Sequence, residues 1–228
     1  MIKILLSSGA NPSLKDKNGR TAIDEAEGFP EILALLRPSI VKLEDIKAIP
    51  IKDYFYYGIT QRDFEYGYTE SGKYSSYVSS IVAKHARGYY IDSQRITLMD
   101  GHNTQQASNE YYTVTPDTIT MISPPNAQGS YASEDIIVLT NKQVSWDTPI
   151  GYSEITGIHL TIDTKAKTFT DCIEITYTGS NEKNEQVSLK QYFAPKQGLI
   201  MIKAQSKNND GEYYTYMQLS KLYGKDAK

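Results

Sequence analysis

A single cysteine, Cys172, excludes an internal disulfide and any multi-cysteine zinc site in this 228-residue chain. Long apolar runs are missing as well. Stretches such as Ile136–Leu139 and Leu199–Ile202 fall far short of the roughly 20 residues a membrane helix needs, so no transmembrane segment is expected. No block of five or six like charges occurs and no basic stripe, and the net charge is −3. Nucleic acid is therefore not an expected partner. The three histidines, His85, His102 and His159, are scattered, without a second ligand at metal-binding spacing. There is no glycine-rich phosphate loop. Gly151-Tyr152-Ser153-Glu154 lacks the second glycine and the following helix of a nucleophile elbow. Asp16–Gly19 lacks the alternating acids of a calcium loop. Glu134 and Asp135 would point to opposite sides of a strand and could not share a substrate. The expectation is a protein that is not an enzyme, with no cofactor and no metal. The first residues do not read as a signal peptide, so the chain as written is expected in the cytoplasm. A longer precursor carrying an export signal would instead place it in the cell envelope or outside the cell.

What the chain has in abundance is tyrosine: 19 residues, against five phenylalanines and one tryptophan. Tyrosine suits pleated, half-buried surfaces, where the ring packs and the hydroxyl reaches water, so the composition leans towards β structure. Two hydrophobic rhythms divide the chain. Over residues 1–38 apolar side chains recur at three- and four-residue spacing (Ile2, Leu5 and Leu6; Ile32, Leu35 and Leu36), a helical pattern interrupted by Gly9–Pro12, Asp16–Gly19 and Gly28–Pro30. Residues 39–53 read as a connector with a short helix over Ile40–Ile46. From there, two-residue alternation bounded by turn signals takes over. Strands are predicted near Tyr54–Thr60, Phe64–Thr69, Tyr74–Ala83, Gly88–Met99, Glu110–Val114, Thr118–Ile122, Asp135–Thr140 and Gln143–Trp146. Further ones are predicted near Gly151–Thr164, Phe169–Gly179, Gln186–Ala194, Leu199–Ser206 and Tyr213–Leu222. Asp100-Gly101, Gly179-Ser180-Asn181 and Asn209-Asp210-Gly211 carry hairpin-turn chemistry, and Pro124-Pro125 marks a loop. Without helices between the strands, an antiparallel meander over 54–228 is the economical reading. In Asp171–Tyr177 the alternation sets Ile173, Ile175 and Tyr177 on a dry face and Cys172, Glu174 and Thr176 on a polar one. Leu199–Ile202, apolar on both sides, reads as a central, doubly covered strand.

Two resemblances follow from particular residues. Ile4-Leu5-Leu6 with Gly9-Ala10-Asn11-Pro12, followed by Asp16-Lys17-Asn18-Gly19-Arg20-Thr21-Ala22-Ile23-Asp24, Ala26 and Glu31–Leu36, resembles the last one and a half ankyrin repeats. Asp24 stands where that repeat usually has His. The resemblance implies a helical stub that contacts a protein. Ile155-Thr156-Gly157, Thr161–Thr164, Lys167–Ile175 and Gln191–Ile200 resemble a β domain of extracytoplasmic proteins and lipoproteins of Gram-positive bacteria. That resemblance implies a strongly curved, half-barrel-like antiparallel sheet and no catalytic activity. The expected fold class is thus mainly β with an α N-terminal part.

Tyrosines are the one feature open to a site reading. Tyr54, Tyr56, Tyr89, Tyr111 and Tyr214 form the candidate ligand face, since exposed rings on a concave sheet offer flat apolar surfaces with polar tips. Cross-strand packing that stabilises the sheet accounts for the same residues. The leading functional expectation is protein–protein interaction or scaffolding, with the helical stub and the β domain as two docking units. The alternative is a small-ligand, lipid or glycan carrier with a tyrosine-lined hollow.

Overall fold

A computed structural model describes residues 41–58, 60–67, 75–99, 105–123, 135–149, 151–180, 186–205 and 212–223, together with Ile2, Asp16, Lys17, Arg20, 22–26, Phe29, Ile32 and Leu36. The chain divides into two compact units, Met1–Ile40 and Val41–Lys228. In the first, among the described residues, the continuous helix is the four-residue Ala22–Glu25. Ala26 and Leu36 are buried there, with Ile2 and Ile32 packed against them. No stacked helical repeat is built among the described residues. The ankyrin resemblance and the helical stub it implied are therefore not supported. A helical rhythm in sequence requires a partner face before it becomes a repeat, and one small apolar cluster does not supply it. The expected turns at Gly9–Pro12 and Gly28–Pro30, and those at Asp100-Gly101, Pro124-Pro125 and Asn209–Gly211, lie wholly or largely outside the described residues.

The second unit is one antiparallel sheet of twelve strands. They are β1 (Arg62–Tyr66), β2 (Ser76–Lys84), β3 (Tyr90–Leu98), β4 (Gln105–Val114), β5 (Thr118–Ile122) and β6 (Ile136–Thr140). The series continues with β7 (Ser145–Thr148), β8 (Gly151–Asp163), β9 (Thr168–Ser180), β10 (Gln186–Ala194), β11 (Gly198–Gln205) and β12 (Tyr213–Leu222). Their spatial order is β6-β5-β4-β3-β2-β1-β12-β11-β10-β9-β8-β7. Every neighbouring pair but one is consecutive in sequence. The exception, β1 beside β12, joins the first strand to the last and makes the two halves one sheet. The outermost strands, β6 and β7, are successive in the chain and lie close: the Trp146 indole N–H donates to the Ile137 carbonyl at 2.9 Å. The sheet is thus a nearly closed barrel, where a half-barrel was expected.

Most predicted strands recur within a few residues of their expected bounds. The run Tyr54–Thr60 does not. Ile51–Tyr54 is a 3₁₀ turn, and Phe55–Gly58 continues without strand pairing. A short helix, Leu43–Ile46, falls inside the predicted Ile40–Ile46. The stretch 41–56 supplies much of the core. Val41, Ile46, Ile49, Ile51, Tyr54, Phe55 and Tyr56 are buried in one cluster with Val82, Ile119, Leu139, Trp146, Ile155, Ile173, Ile175 and Phe193. Burying seven such side chains from one short segment withdraws several hundred square ångströms from water, at about 25 cal/mol per Å².

A second cluster contains Phe64, Val78, Phe169, Cys172, Tyr192, Ala194, Ile200, Met201, Met217, Leu219 and Leu222. On β9, Ile173 and Ile175 join the first cluster while Cys172 joins the second. The expected polar face of β9 is therefore covered at this point: Glu174 is also buried, its carboxylate accepting from Thr156 at 2.7 Å and from Lys190 at 3.2 Å. β11 is flanked by β10 and β12, and Leu199 touches both clusters, as its doubly apolar sequence implied. The turn after Ala194 requires its glycine. Gly198 has φ +67°, and a Cβ there would meet the Tyr56 backbone nitrogen at 3.3 Å, so the 41–56 segment closes against this turn.

Candidate functional site

Because β1–β4 run without irregularity between β2, β3 and β4, cross-strand partners share a face there. Arg62 lies opposite Ser80 on β2, Val82 opposite Asp92 on β3, and Asp92 opposite Glu110 on β4. This register gathers one cation and two carboxylates. The Arg62 guanidinium donates through Nη1 to the Gln197 carbonyl at 2.5 Å and through Nη2 to Ser80 Oγ at 3.0 Å, and lies 3.7 Å from Asp92. Ser80 passes its own hydroxyl proton to Asp92 at 2.6 Å. The Tyr56 ring stacks over the guanidinium at 4.1 Å. Burial pushes the Arg62 pKa down and the Asp92 charge opposes the fall. Glu110 has its pKa raised, first by burial and then by Asp92, although the Tyr112 hydroxyl donates to it at 2.5 Å. A carboxylate taken out of water next to a like charge is harder to ionise, which explains that direction. The arrangement satisfies a buried charge and ties β1, β2, β3 and the 194–198 turn together.

A second polar knot centres on Asp63, which is almost wholly buried. It accepts from Tyr77 at 2.6 Å, Tyr223 at 2.7 Å and Gln61 at 2.7 Å. Burial alone would raise its pKa, but these hydrogen bonds outweigh it and the carboxyl is held below its ordinary value. On the β8–β9 hairpin, His159 Nδ1 lies 2.5 Å from Asp171 Oδ1, both exposed and both with positive φ, 55° and 58°. Cys172 beside them is buried, its pKa pushed up to about 11 by burial and by Asp171. A thiol so placed is packing, not a nucleophile. Among the described residues no group of three or more His, Cys, Asp or Glu stands close enough to hold a metal ion.

The five candidate tyrosines do not come together as one face. Tyr54 and Tyr56 are buried in the core. The Tyr54 hydroxyl donates to the Asp171 carbonyl at 2.8 Å, and the Tyr56 hydroxyl to the Thr60 carbonyl at 2.8 Å. Tyr89 stacks on His85 with ring centroids 4.4 Å apart and lies 6.1 Å from Tyr111. Tyr214 stands on β12, opposite Ala204 of β11. Tyr89 and Tyr111 are ring neighbours. A different aromatic group assembles instead. Tyr57, 45% exposed, meets Phe55 at 5.3 Å and Tyr90 at 5.2 Å, and Phe55 reaches Tyr112 at 5.5 Å. Burial raises the Tyr57 pKa to about 12.

The feature that sequence reading missed is the first half of β4. The strand was expected to start at Glu110; it starts at Gln105. β3 pairs with β4 from Gln105 to Tyr112, whereas β5 pairs with it only from Tyr111 to Val114. Gln105–Glu110 therefore has a neighbour on one side and, among the described residues, no strand on the other. Gln105, Gln106, Ala107, Ser108 and Asn109 are all exposed and none is charged. Arg95, directly opposite Ala107 on β3, is exposed and has no ion-pair partner among the described residues. No apolar alternation marks Gln-Gln-Ala-Ser-Asn, so no hydrophobic signal announced this strand.

No family model and no curated protein matches the chain. Solved structures do. A putative lipoprotein from Parabacteroides distasonis superposes with a TM-score of 0.52 at 16% identity, covering 75% of this chain and 98% of that one. A putative exported protein with a YmcC-like fold from Bacteroides fragilis gives a TM-score of 0.51 at 12% identity, with the same coverage. At such identities the likeness establishes the fold. The Gram-positive relationship expected for the β domain is not supported: both of these neighbours come from Bacteroidetes.

Proposed function

We propose that the β domain is a non-catalytic module that binds a protein partner in the cell envelope or outside the cell. The location follows the description of the two structures it resembles as lipoprotein and exported protein. What favours surface binding over a small-ligand carrier is the filling of the barrel. The 41–56 segment packs its Ile, Phe and Tyr side chains where a ligand hollow was expected, and Tyr54 and Tyr56 are consumed in that packing. A carrier keeps a pocket that takes up most of its ligand's surface; a docking module needs only an exposed patch or edge. Native mass spectrometry of the chain after incubation with a cell-envelope extract provides the test. A discrete protein adduct is expected. A stoichiometric lipid or sugar adduct on the chain would overturn the reading in favour of a carrier.

A further inference from the structure

We infer that the open edge of β4, Gln105–Glu110, accepts an extended segment of a partner protein as an added antiparallel strand, with an acidic residue of that segment opposite Ala107 and paired with Arg95. The inference deepens the protein-binding reading above by naming the surface and the chemistry of its occupant.

An exposed sheet edge presents a row of main-chain N–H and C=O groups, and proteins ordinarily guard such rows with Lys, Pro, a bulge or a covering element. Elsewhere in this sheet the guard is visible. The terminal strands β6 and β7 approach each other, and Trp146 caps the Ile137 carbonyl. β5 covers Tyr111–Val114. Along Gln105–Asn109 there is no Lys, no Pro and no register shift against β3, and no described residue covers the edge. A regular, uncharged edge of five residues is a template for strand addition, in which main-chain bonds supply affinity and side chains supply choice.

The choice comes from Arg95. Residues directly opposite in an antiparallel pair share a face, so Arg95 and Ala107 project on the same side of the sheet. Adjacent strands lie about 4.8 Å apart, which places a strand added beyond β4 about 10 Å from β3. Alanine is short enough to leave that distance open to the long arginine side chain. Arg95, exposed and without an ion-pair partner among the described residues, can therefore lie across Ala107 and meet a carboxylate on the added strand. The opposite face of the edge bears Gln106, Ser108 and Glu110, where Glu110 is already engaged with Tyr112. A second copy of this chain fits less well. Antiparallel pairing of two β4 edges about Ala107 sets Ala107 against its counterpart, brings the two Arg95 side chains over one spot and gives neither a counter-charge.

Fluorescence anisotropy with the full chain tests this, using labelled peptides Thr-Val-Thr-Glu-Thr-Val-Thr and the same peptide with Lys at its centre. The glutamate peptide is expected to bind saturably and about fivefold tighter than the lysine peptide, a ratio typical of one cross-strand charge pair against its mismatch. Arg95→Glu, checked for folding by its thermal melt, inverts the order; Arg95→Gln abolishes the difference and stands in should the reversal unfold the protein. Two further peptides carry N-methyl groups on alternate residues, one on the odd positions and one on the even. Strand addition requires that one of them stops binding while the other still binds. Equal binding of both, or no binding of any peptide, overturns the proposal. So does amide protection at Gln106–Ser108 that rises with protein concentration alone, which would assign the edge to a second copy. If the peptides fail while native mass spectrometry still shows a protein adduct, the docking module stands and the β4 edge is not its surface.

Discussion

The strands β4 and β9 belong to one sheet and meet the solvent in opposite ways. Around Cys172–Ile175, β9 has a core cluster on each face and lies between β8 and β10. At Gln105–Asn109, β4 is exposed on both faces and, among the described residues, paired on one edge. β9 sits between two long partners, β8 and β10, whereas β4 outruns its short neighbour β5. The length of the neighbouring strand thus decides which stretch is enclosed and which has, among the described residues, a strand on one side alone.

Substitutions can sharpen or break that contrast. Ile175→Ala removes a fully buried side chain from the first cluster, and a loss of about 3 kcal/mol in urea unfolding is expected. A loss under about 1 kcal/mol would mean that β9 is not the enclosed half of the comparison. Asp92→Ala should cost somewhat less, about 2 kcal/mol, because it leaves the buried Arg62 without its carboxylate while the Gln197 and Ser80 bonds persist. A stability change within error would show that Arg62 is served by its neutral partners alone.

Glu110 joins the two regions, standing at the end of the open stretch and beside the buried charges. Its folded pKa is raised by burial and by Asp92, so the folded state holds its proton more tightly than the unfolded one. The stabilisation from this group is present below the unfolded carboxyl value, about 4.3, and is lost as pH rises through the folded value. Asp63 acts with the reverse sign. Its depressed pKa lends stability above the unfolded value, about 3.9, which disappears on acidification. Urea midpoints measured from pH 3 to 8 should therefore show that Glu110→Gln gains on the native protein as pH rises. An unchanged difference across that range would count against a proton held at Glu110. The smallest effect belongs to the open edge itself: Ala107→Lys should alter stability by under about 0.5 kcal/mol, since no described contact is lost. A larger loss would show that the edge is covered in the folded chain.

Much of the β domain was legible because half-buried strands write their period into the sequence. β10, Gln186–Ala194, and β12, Tyr213–Leu222, run between the residues that alternation and turn signals picked out. Two failures have physical causes. Tyr54–Thr60 has strand-like composition, but Tyr54, Phe55 and Tyr56 put their rings into a core cluster from a 3₁₀ turn and the unpaired run after it. Gln105–Asn109 is a strand without a hydrophobic period, because neither of its faces is buried. The tyrosine surplus leaves two readings in sequence, a ligand face and cross-strand packing. In the structure it is shared between core hydroxyls, such as Tyr54 on the Asp171 carbonyl, and rim contacts, such as Tyr57 on Tyr90. The helical beat of residues 1–38 misled for a related reason: amphipathic spacing shows that a face exists, not what it stacks on.

From its residues alone this chain was bound to form an antiparallel, tyrosine-rich sheet, since alternation and turn chemistry act over a few neighbours and need no knowledge of distant contacts. Tertiary structure decided the rest. It brought β1 beside β12, put the 41–56 segment into the core, set Asp92 against Glu110 and left β4 longer than β5. Each of these depends on register between strands far apart in sequence, and register is set by how whole strands pack, not by any local run of residues.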